Sequence, residues 1–162
     1  MIKAEDTREY VSLSPDETKK IGYDLAKSCV GGETFLLSGE LGAGKTVFAK
    51  GFAEGLGISD NVTSPTFAVH NSYSGKLILN HFDFYRFETP EEAALLGLDE
   101  FFGRSEGVCL IEWWQNVEKL LPRSCTEVRI SALSENKRSI VVNTKNFGFA
   151  GGKVSEMSDG GV

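Results

Sequence analysis

The chain has 162 residues, of which 41% are hydrophobic and 25% are charged. This length and composition are typical of a single globular domain with its own core, and they exclude a mostly disordered chain. The formal net charge of −6 argues against a protein that binds a nucleic-acid backbone over a broad surface, because such a protein would carry the opposite sign. Composition therefore favours a small molecule or another protein as the partner.

The sequence shows no sign of export or membrane insertion. No apolar run approaches the roughly 20 residues of a membrane-spanning helix. The first ten residues are polar and charged, without the apolar segment of a signal peptide. Cys29, Cys109 and Cys125 are an odd number of cysteines without paired spacing. We therefore expect a cytoplasmic protein with reduced thiols and no membrane partner.

Predicted strands and helices alternate in the first half of the chain. Residues 10–13 alternate in polarity like a short strand, and residues 14–17 (Ser-Pro-Asp-Glu) carry the cap, proline and glutamate that begin a helix. The apolar run at 34–38 predicts a buried strand. After a glycine-rich turn, a second helix is predicted from about residue 45 to residue 56.

The second half of the chain is richer in predicted strands. A loop over residues 60–65 and a short helix over 89–96 lie among them. The predicted strands cover residues 67–73, 76–84, 108–111, 126–133 and 138–143, and the first two and the last two form hairpins.

This pattern predicts an α/β fold, a mixed central sheet flanked by helices, in one domain over residues 1–143. Residues 144–162 become rich in Gly and Ser and lose their periodicity, so we expect a mobile C-terminal tail there.

Residues 39–46 read Gly-Glu-Leu-Gly-Ala-Gly-Lys-Thr and match the P-loop pattern G-x-x-x-x-G-K-[ST] completely. The match lies between a predicted strand and a predicted helix, the context that the pattern requires. Small residues let the backbone N–H groups of such a loop point at phosphate oxygens, and the helix adds its positive dipole end. Lys45 can reach the β- and γ-phosphates, and the Thr46 hydroxyl can bind Mg²⁺. The pattern predicts a P-loop NTPase-type domain.

The sequence favours ATP over GTP as the nucleotide. A guanine-specific GTPase reads its base with an Asn-Lys-x-Asp tetrad, and the one Asn-Lys in the chain, at 136–137, is followed by Arg138 and Ser139. The aspartate of the tetrad is therefore missing.

Two acidic residues are candidates for the carboxylate that a P-loop enzyme needs near its magnesium ion. Glu112 directly follows the apolar strand predicted at 108–111. Asp83 lies near the end of the strand predicted at 76–84, where Phe82 and Phe84 alternate with it. Both carboxylates should stay ionised beside Mg²⁺.

Four motifs in this order resemble the TsaE (YjeE) family, the P-loop ATPases of bacterial tRNA threonylcarbamoyladenosine (t6A) biosynthesis. They are the P-loop at 39–46, Ser-Pro-Thr-Phe at 64–67, His-Phe-Asp-Phe-Tyr-Arg at 81–86 and Ile-Glu-Trp at 111–113. The resemblance spans roughly residues 10 to 143, and it is the combination of motifs that makes it specific.

The resemblance implies roles for individual residues. The triphosphate would be cradled by the loop residues Leu41, Gly42, Ala43, Gly44, Lys45 and Thr46. Thr46 and Glu112 would hold Mg²⁺, and Asp83 would lie near the γ-phosphate and the attacking water. Lys45, Asp83 and Glu112 would thus be the catalytic residues.

The resemblance also implies two switch-like segments, residues 63–67 and the segment around Trp113. Arg138 falls where the family has an arginine that contacts the nucleotide, and Lys137 is its rival because the preceding hairpin varies in length. The chain departs from the family at Trp114, where a small residue or proline is common. This departure leaves the conformation of the second switch open.

The activity that the resemblance implies is Mg²⁺-dependent ATP hydrolysis in support of t6A modification of ANN-decoding tRNAs. The partners would be TsaD-type and TsaB-type subunits, with the threonylcarbamoyl transfer done by the partner and tRNA contacted indirectly. A small-molecule kinase of the P-loop class is the alternative. It is disfavoured because Arg86, Arg104 and Arg123 are scattered singly instead of forming an arginine-rich lid. A nucleotide-binding regulator without catalysis is the third possibility.

Four more side chains allow two interpretations each. His81 could act as a general base beside Asp83, but a hydrogen-bonded structural histidine is favoured. Arg86 could act as an internal arginine finger, but an ion pair with Glu88 or Glu91 is favoured.

Trp113 and Trp114 could stack on a base. One indole in the core and the other at a protein interface is the favoured arrangement.

Overall fold

A computed structural model of the chain describes residues 6–147. The strands in this range are β1 (Thr7–Ser12), β2 (Thr34–Ser38), β3 (His70–Tyr73), β4 (Ile78–Asp83), β5 (Gly107–Glu112), β6 (Ser124–Ala132) and β7 (Arg138–Asn146). The helices are α1 (Pro15–Lys27), α2 (Lys45–Gly55) and α3 (Pro90–Leu95), and short 3-10 helices cover Leu98–Phe101 and Trp114–Leu120.

The strands form one mixed sheet in the order β1-β7-β6-β2-β5-β4-β3. The four central strands β6, β2, β5 and β4 run parallel, and the antiparallel pairs lie towards the two edges. This arrangement confirms the predicted α/β fold with a mixed central sheet. Because parallel strands share one carboxyl edge, the segments that follow β2, β4 and β5 all emerge on the same side of the sheet.

Of the two predicted capping boxes, the one at the start of α3 forms completely, whereas at the start of α1 the Glu17 carboxylate bonds to Leu13 N–H instead of the N–H of Ser14. At the start of α1 the Ser14 hydroxyl accepts a hydrogen bond from the Glu17 backbone N–H at 3.1 Å, and the Glu17 carboxylate accepts one from Leu13 N–H at 2.7 Å. At the start of α3 the Glu92 carboxylate accepts a bond from Thr89 N–H at 3.0 Å. These bonds satisfy N–H groups that a helix start leaves without partners.

Two apolar clusters cover the two faces of the sheet. On one face α1 and α2 pack over β2, β5 and β6, with the buried rings of Phe35, Phe48 and Phe52 at the centre. On the other face α3 and the 3-10 helices enclose Phe82 and Phe84. The thiol of Cys109 is buried in this second cluster, and burial raises its pKa to about 12. None of the helices within residues 6–147 has the length and apolar character to span a bilayer.

Helices α1 and α2 approach closely because glycine occupies the contact on each of them. A Cβ on Gly22 would lie 2.5 Å from the Phe48 carbonyl oxygen, and a Cβ on Gly51 would overlap the Lys19 carbonyl. Both distances are below what real side chains tolerate, so only glycine permits this crossing. The contact fixes α2, and therefore the loop that precedes it, against α1.

We expect Gly51→Ala to lower the free energy of unfolding by about 2 kcal/mol, because the backbones of the two helices must separate to admit the methyl group. Helix propensity alone predicts the opposite sign, a gain of up to about 1 kcal/mol. Urea unfolding measures the difference, with Lys50→Ala on the same helix as the control. A Gly51→Ala protein at least as stable as the parent would contradict the tight crossing.

Several parts of the chain differ from the prediction, among them β1, which covers Thr7–Ser12 where residues 10–13 were predicted. The strand predicted at 67–73 begins only at His70, because residues 66–69 form a turn closed by Val69 N–H on the Pro65 carbonyl at 2.6 Å. The 3-10 helices were not predicted. Finally, β7 continues past residue 143 to Asn146, because the nine-residue β6 pairs with its whole length. The rest of the predicted mobile tail, residues 148–162, lies outside the described residues.

Candidate nucleotide-binding site

The sheet register brings the two candidate acids side by side. Asp83, the last residue of β4, pairs with Glu112, the last residue of β5. Glu112 also pairs with Leu37 on β2, two residues before Gly39. The three strand ends therefore place both carboxylates beside the loop at 39–46.

The loop adopts the conformation that a P-loop needs. Gly44 has a φ of 111° and begins α2 without a side-chain cap, which leaves the first N–H groups of the helix available to a ligand. Gly39 has a φ of 153°, and a Cβ there would lie 2.5 Å from the Ile130 carbonyl oxygen. Glycine is therefore required at both positions, once for the backbone conformation and once for the close approach to β6.

A cavity of about 850 Å³ opens above this edge of the sheet. Of the predicted site residues, all but the buried Ala43 line it: Leu41, Gly42, Gly44, Lys45, Thr46, Asp83, Glu112 and Arg138. Ser64, Thr66 and Trp113 line it from the two segments expected to resemble switches, and Val47 and Tyr85 also contribute to its wall. The volume falls within the range of small-molecule sites.

Glu112 is held between two nitrogen-bearing side chains. Its Oε1 lies 4.0 Å from Lys45 Nζ, and its Oε2 lies 2.8 Å from His81 Nε2. A carboxylate only accepts hydrogen bonds, so Nε2 of a neutral His81 carries the proton. His81 therefore bonds to Glu112 and not to Asp83, which agrees with a structural histidine. Its Nδ1 is buried and has no partner among residues 6–147.

Asp83 is held in place by its own strand end and by the preceding loop. Its Oδ1 accepts a hydrogen bond from Tyr85 N–H at 2.9 Å, and its Oδ2 accepts one from the Thr66 hydroxyl at 3.0 Å. Thr66 is in turn 2.9 Å from the Ser64 hydroxyl. Each carboxylate oxygen keeps a lone pair for a further donor, such as a water molecule in the cavity.

The residues predicted to hold Mg²⁺ fit such an ion. Thr46 is exposed at the first turn of α2 and lines the same cavity as Glu112. A hydroxyl and a carboxylate are hard oxygen donors, and Mg²⁺ is typically bound by one or two such groups together with water and substrate phosphates. The donor set is therefore chemically suitable.

Arg138 supports the P-loop from outside. Its Nε donates to the Ala43 carbonyl at 2.8 Å, and its Nη2 lies 3.4 Å from the Gly42 carbonyl. Its Nη1 bonds to carbonyls of the β6–β7 turn, including Ser134 at 2.8 Å. The guanidinium thus joins the turn to the P-loop while its edge lines the cavity. A contact with the nucleotide stays a prediction.

We expect Arg138→Ala to weaken nucleotide binding about tenfold, because the carbonyls of Gly42 and Ala43 lose a charged donor and the loop loses its support. Lys137→Ala is the matched control, since Lys137 is exposed on the same turn and was the rival position. Titration with a fluorescent ATP analogue measures both dissociation constants. A larger loss of affinity in Lys137→Ala than in Arg138→Ala would assign the role in nucleotide binding to Lys137 instead.

The comparisons with known proteins agree with this geometry. The family model described as "Threonylcarbamoyl adenosine biosynthesis protein TsaE" matches residues 12–140. The chain belongs to the TsaE family. A crystal structure of Bacillus subtilis YdiB matches over 100% of this chain and 99% of its own, with a TM-score of 0.74 and 36% sequence identity.

Curated relatives of the same family show similar sequence identities to this chain. A protein from Bacillus subtilis (strain 168) is 45% identical over 130 residues, which cover 80% of each chain. One from Treponema pallidum (strain Nichols) is 38% identical over 133 residues, which cover 82% of this chain and 97% of its own. Both are named tRNA threonylcarbamoyladenosine biosynthesis protein TsaE.

The two tryptophans of this TsaE-family chain separate as the favoured interpretation predicts. Trp114 is 5% exposed and packs in the core, whereas Trp113 is 45% exposed beside Tyr85, with ring centroids 5.0 Å apart. Trp113 has a φ of 55°, and Val69, next to the other switch-like segment, has a φ of 70°. Of these two strained non-glycine residues, Trp113 lines the cavity and Val69 lies two residues after the segment 63–67.

Arg86 makes a different contact from the one expected. Its guanidinium lies 5.0 Å from the centroid of the exposed Phe67 ring, and no ion pair joins it to Glu88 or Glu91 among residues 6–147. The turn at 66–69, which replaces the predicted strand, carries Phe67 to this position.

Two contacts of the site were missed by sequence reasoning. The first is the bond from Thr66 to Asp83, and the second is the pairing of His81 with Glu112. The motif containing Thr66 was identified, but its contact crosses 17 residues of chain. The histidine contact depends on the register between β4 and β5, for which the sequence carries no signal.

Proposed function

We propose that this TsaE-family chain is a Mg²⁺-dependent ATPase that supports t6A modification of tRNA. One observation carries the proposal: Lys45, Asp83 and Glu112 converge on one cavity that the P-loop closes. Lys45 Nζ lies 4.0 Å from Glu112 Oε1, and Asp83 is the register partner of Glu112. A lysine beside two carboxylates at the start of a helix is suited to a triphosphate with its metal ion.

The loop and Lys45 would bind the triphosphate. The uncapped N–H groups of α2 and the Lys45 ammonium would face the phosphate oxygens, whose charge grows as the γ-phosphoryl group is transferred. ATP is the favoured nucleotide because the chain lacks the aspartate of a guanine-reading tetrad after Lys137. Thr46 and Glu112 would hold Mg²⁺, which would supply positive charge that offsets the negative charge of the phosphates.

Asp83 would position the attacking water. Its carboxylate is fixed by Thr66 and by the Tyr85 backbone, so its free lone pairs have a defined direction into the cavity. Water attacks the γ-phosphorus as the bond to the bridging oxygen breaks, which gives ADP and inorganic phosphate. The proton released by the water passes to Asp83 or to the phosphate product.

The partners proposed for this activity are TsaD-type and TsaB-type subunits, which would carry out the transfer to adenosine. The family description and the names of the curated relatives support a role in t6A biosynthesis. The net charge of −6 supports protein partners and indirect contact with tRNA. The exposed Trp113 and Tyr85 at the cavity mouth offer aromatic surface to such a subunit.

The proposal is tested by measuring phosphate release from ATP in the absence of any acceptor molecule. Reactions contain Mg²⁺ or a chelator, each with and without a TsaD-type and TsaB-type pair, and GTP replaces ATP in a parallel series. We expect slow Mg²⁺-dependent release from ATP that increases with the pair. Release that requires a metabolite acceptor and ignores the pair would instead identify a small-molecule kinase.

A further inference from the structure

A chain of buried hydrogen bonds lies on the face of the sheet opposite α2. Trp114 Nε1 donates to Ser38 Oγ at 2.9 Å, and Ser38 Oγ donates to Glu127 Oε2 at 2.8 Å. An indole N–H can only donate and a carboxylate can only accept, so the hydroxyl of Ser38 has one possible orientation. The three residues are 5%, 7% and 2% exposed. The donor and acceptor of each bond in this hydrogen-bond chain are therefore fixed, and all three side chains are shielded from water.

At its far end the hydrogen-bond chain reaches the Glu127 carboxyl group, which two basic side chains contact. Glu127 Oε2 also accepts a hydrogen bond from Arg129 Nη2 at 3.1 Å, and Lys145 Nζ lies 3.9 Å from Oε1. The same Lys145 ammonium lies 5.7 Å from the centroid of the Trp114 ring. A buried carboxylate requires such partners to remain charged. Trp114 is thus held at its N–H edge through Ser38 and at its ring face by Lys145.

The hydrogen-bond chain connects two segments of the candidate site. Ser38 is the residue before Gly39, at the entry to the P-loop. Trp114 follows Trp113, whose left-handed backbone leads directly from Glu112. A cavity of about 480 Å³ separates the outer side of the P-loop from the segment that contains Gln115. The hydrogen bond between Trp114 and Ser38 therefore connects the P-loop to the segment after β5, although open space separates the rest of these two loops.

We propose that Trp114, Ser38 and Glu127 form a positioning chain that couples the P-loop to residues 113–120. The strained backbone of Trp113 keeps its conformation only if the next residue is anchored, and the chain supplies that anchor. A displacement of Trp113, for example by a docking subunit, is transmitted to the entry of the P-loop. The consequence for ATP turnover rests on the proposed function, whereas the coupling itself does not.

Hydrogen–deuterium exchange in the nucleotide-free full chain tests the coupling. Trp114→Phe keeps an aromatic ring in the core but removes the N–H donor, and Ser38→Ala removes the link. We expect Trp114→Phe to speed amide exchange about fivefold at residues 39–44, and Ser38→Ala to do so at 113–116, as loss of one buried hydrogen bond permits. Ser131→Ala, an exposed serine on β6 that lines the same cavity as Ser38, should change neither segment.

A change confined to the substituted segment, or spread over α1 and β7 as well, would overturn the proposal, because it would mean a local or global loss of stability. In the ATPase assay we expect Ser38→Ala to lower kcat about fivefold with KM within about twofold, and Ser38→Thr, which keeps the hydroxyl, to recover it. If the parent protein hydrolyses no ATP, the proposed function fails, and the exchange data still decide the coupling.

Discussion

Replacing Lys45 with alanine is expected to lower kcat/KM for ATP hydrolysis by at least about 10²-fold. The ammonium provides positive charge where the γ-phosphoryl charge develops, and loss of a single such donor typically costs 10²- to 10³-fold. The change also leaves Glu112, which lies within 4.0 Å of Lys45 Nζ, with His81 as its remaining close partner among the described residues. Steady-state phosphate release measures the effect.

Lys50→Ala on the exposed face of α2 is the control for this experiment, because it removes the same charge from the same helix outside the cavity. It should retain the activity of the parent. A Lys45→Ala protein that folds, as judged by its thermal unfolding, and keeps more than about a tenth of the parent kcat/KM would contradict the assignment of the P-loop lysine.

Asp83→Asn and Glu112→Gln are each expected to lower turnover by about 10²-fold, for different reasons. Both changes preserve shape and remove charge. Asp83→Asn takes away the acceptor that orients water, so nucleotide affinity should stay within about threefold of the parent. Glu112→Gln weakens the proposed metal site, so the Mg²⁺ concentration that half-saturates nucleotide binding should rise about tenfold. Fluorescent-nucleotide titrations over a range of Mg²⁺ separate the two effects.

Glu106→Gln is the matched control, since Glu106 lies just before β5, at the end of the strand opposite Glu112, in an exposed pair with Arg104. Turnover close to that of the parent in both site variants would favour a nucleotide-binding regulator without catalysis. Equal Mg²⁺ dependence in the two variants would remove the distinction drawn between Asp83 and Glu112.

The α/β fold, and most of the residues that line the candidate cavity, were predictable from local sequence. The capping box of α3 lies within four residues of chain, and the P-loop pattern with its flanking strand and helix lies within a single short segment. Asp83 and Glu112 were predicted because Glu112 directly follows an apolar strand and Asp83 lies near the end of another, and parallel strand ends lie together in such folds.

The contacts that fix these side chains were not predictable, because they depend on strand register and on long separations along the chain. Trp114 and Ser38 are 76 residues apart, and Ser38 and Glu127 are 89 apart. Trp114 was the one departure from the family pattern, and sequence alone left its consequence open. The structure gives that residue a place in the core and a hydrogen-bond partner beside the P-loop.

The position of Arg138 has a consequence for insertions and deletions in the β6–β7 turn. Hairpin turns are usually where insertions and deletions are tolerated, since they lie on the surface and few contacts depend on their length. Here one guanidinium spans the β6–β7 turn and the carbonyls of Gly42 and Ala43. In this chain, therefore, a residue added to that turn would have to be accommodated without moving Arg138 away from those two carbonyls, and a change at residues 134–137 would otherwise alter the support of a loop almost 100 residues earlier.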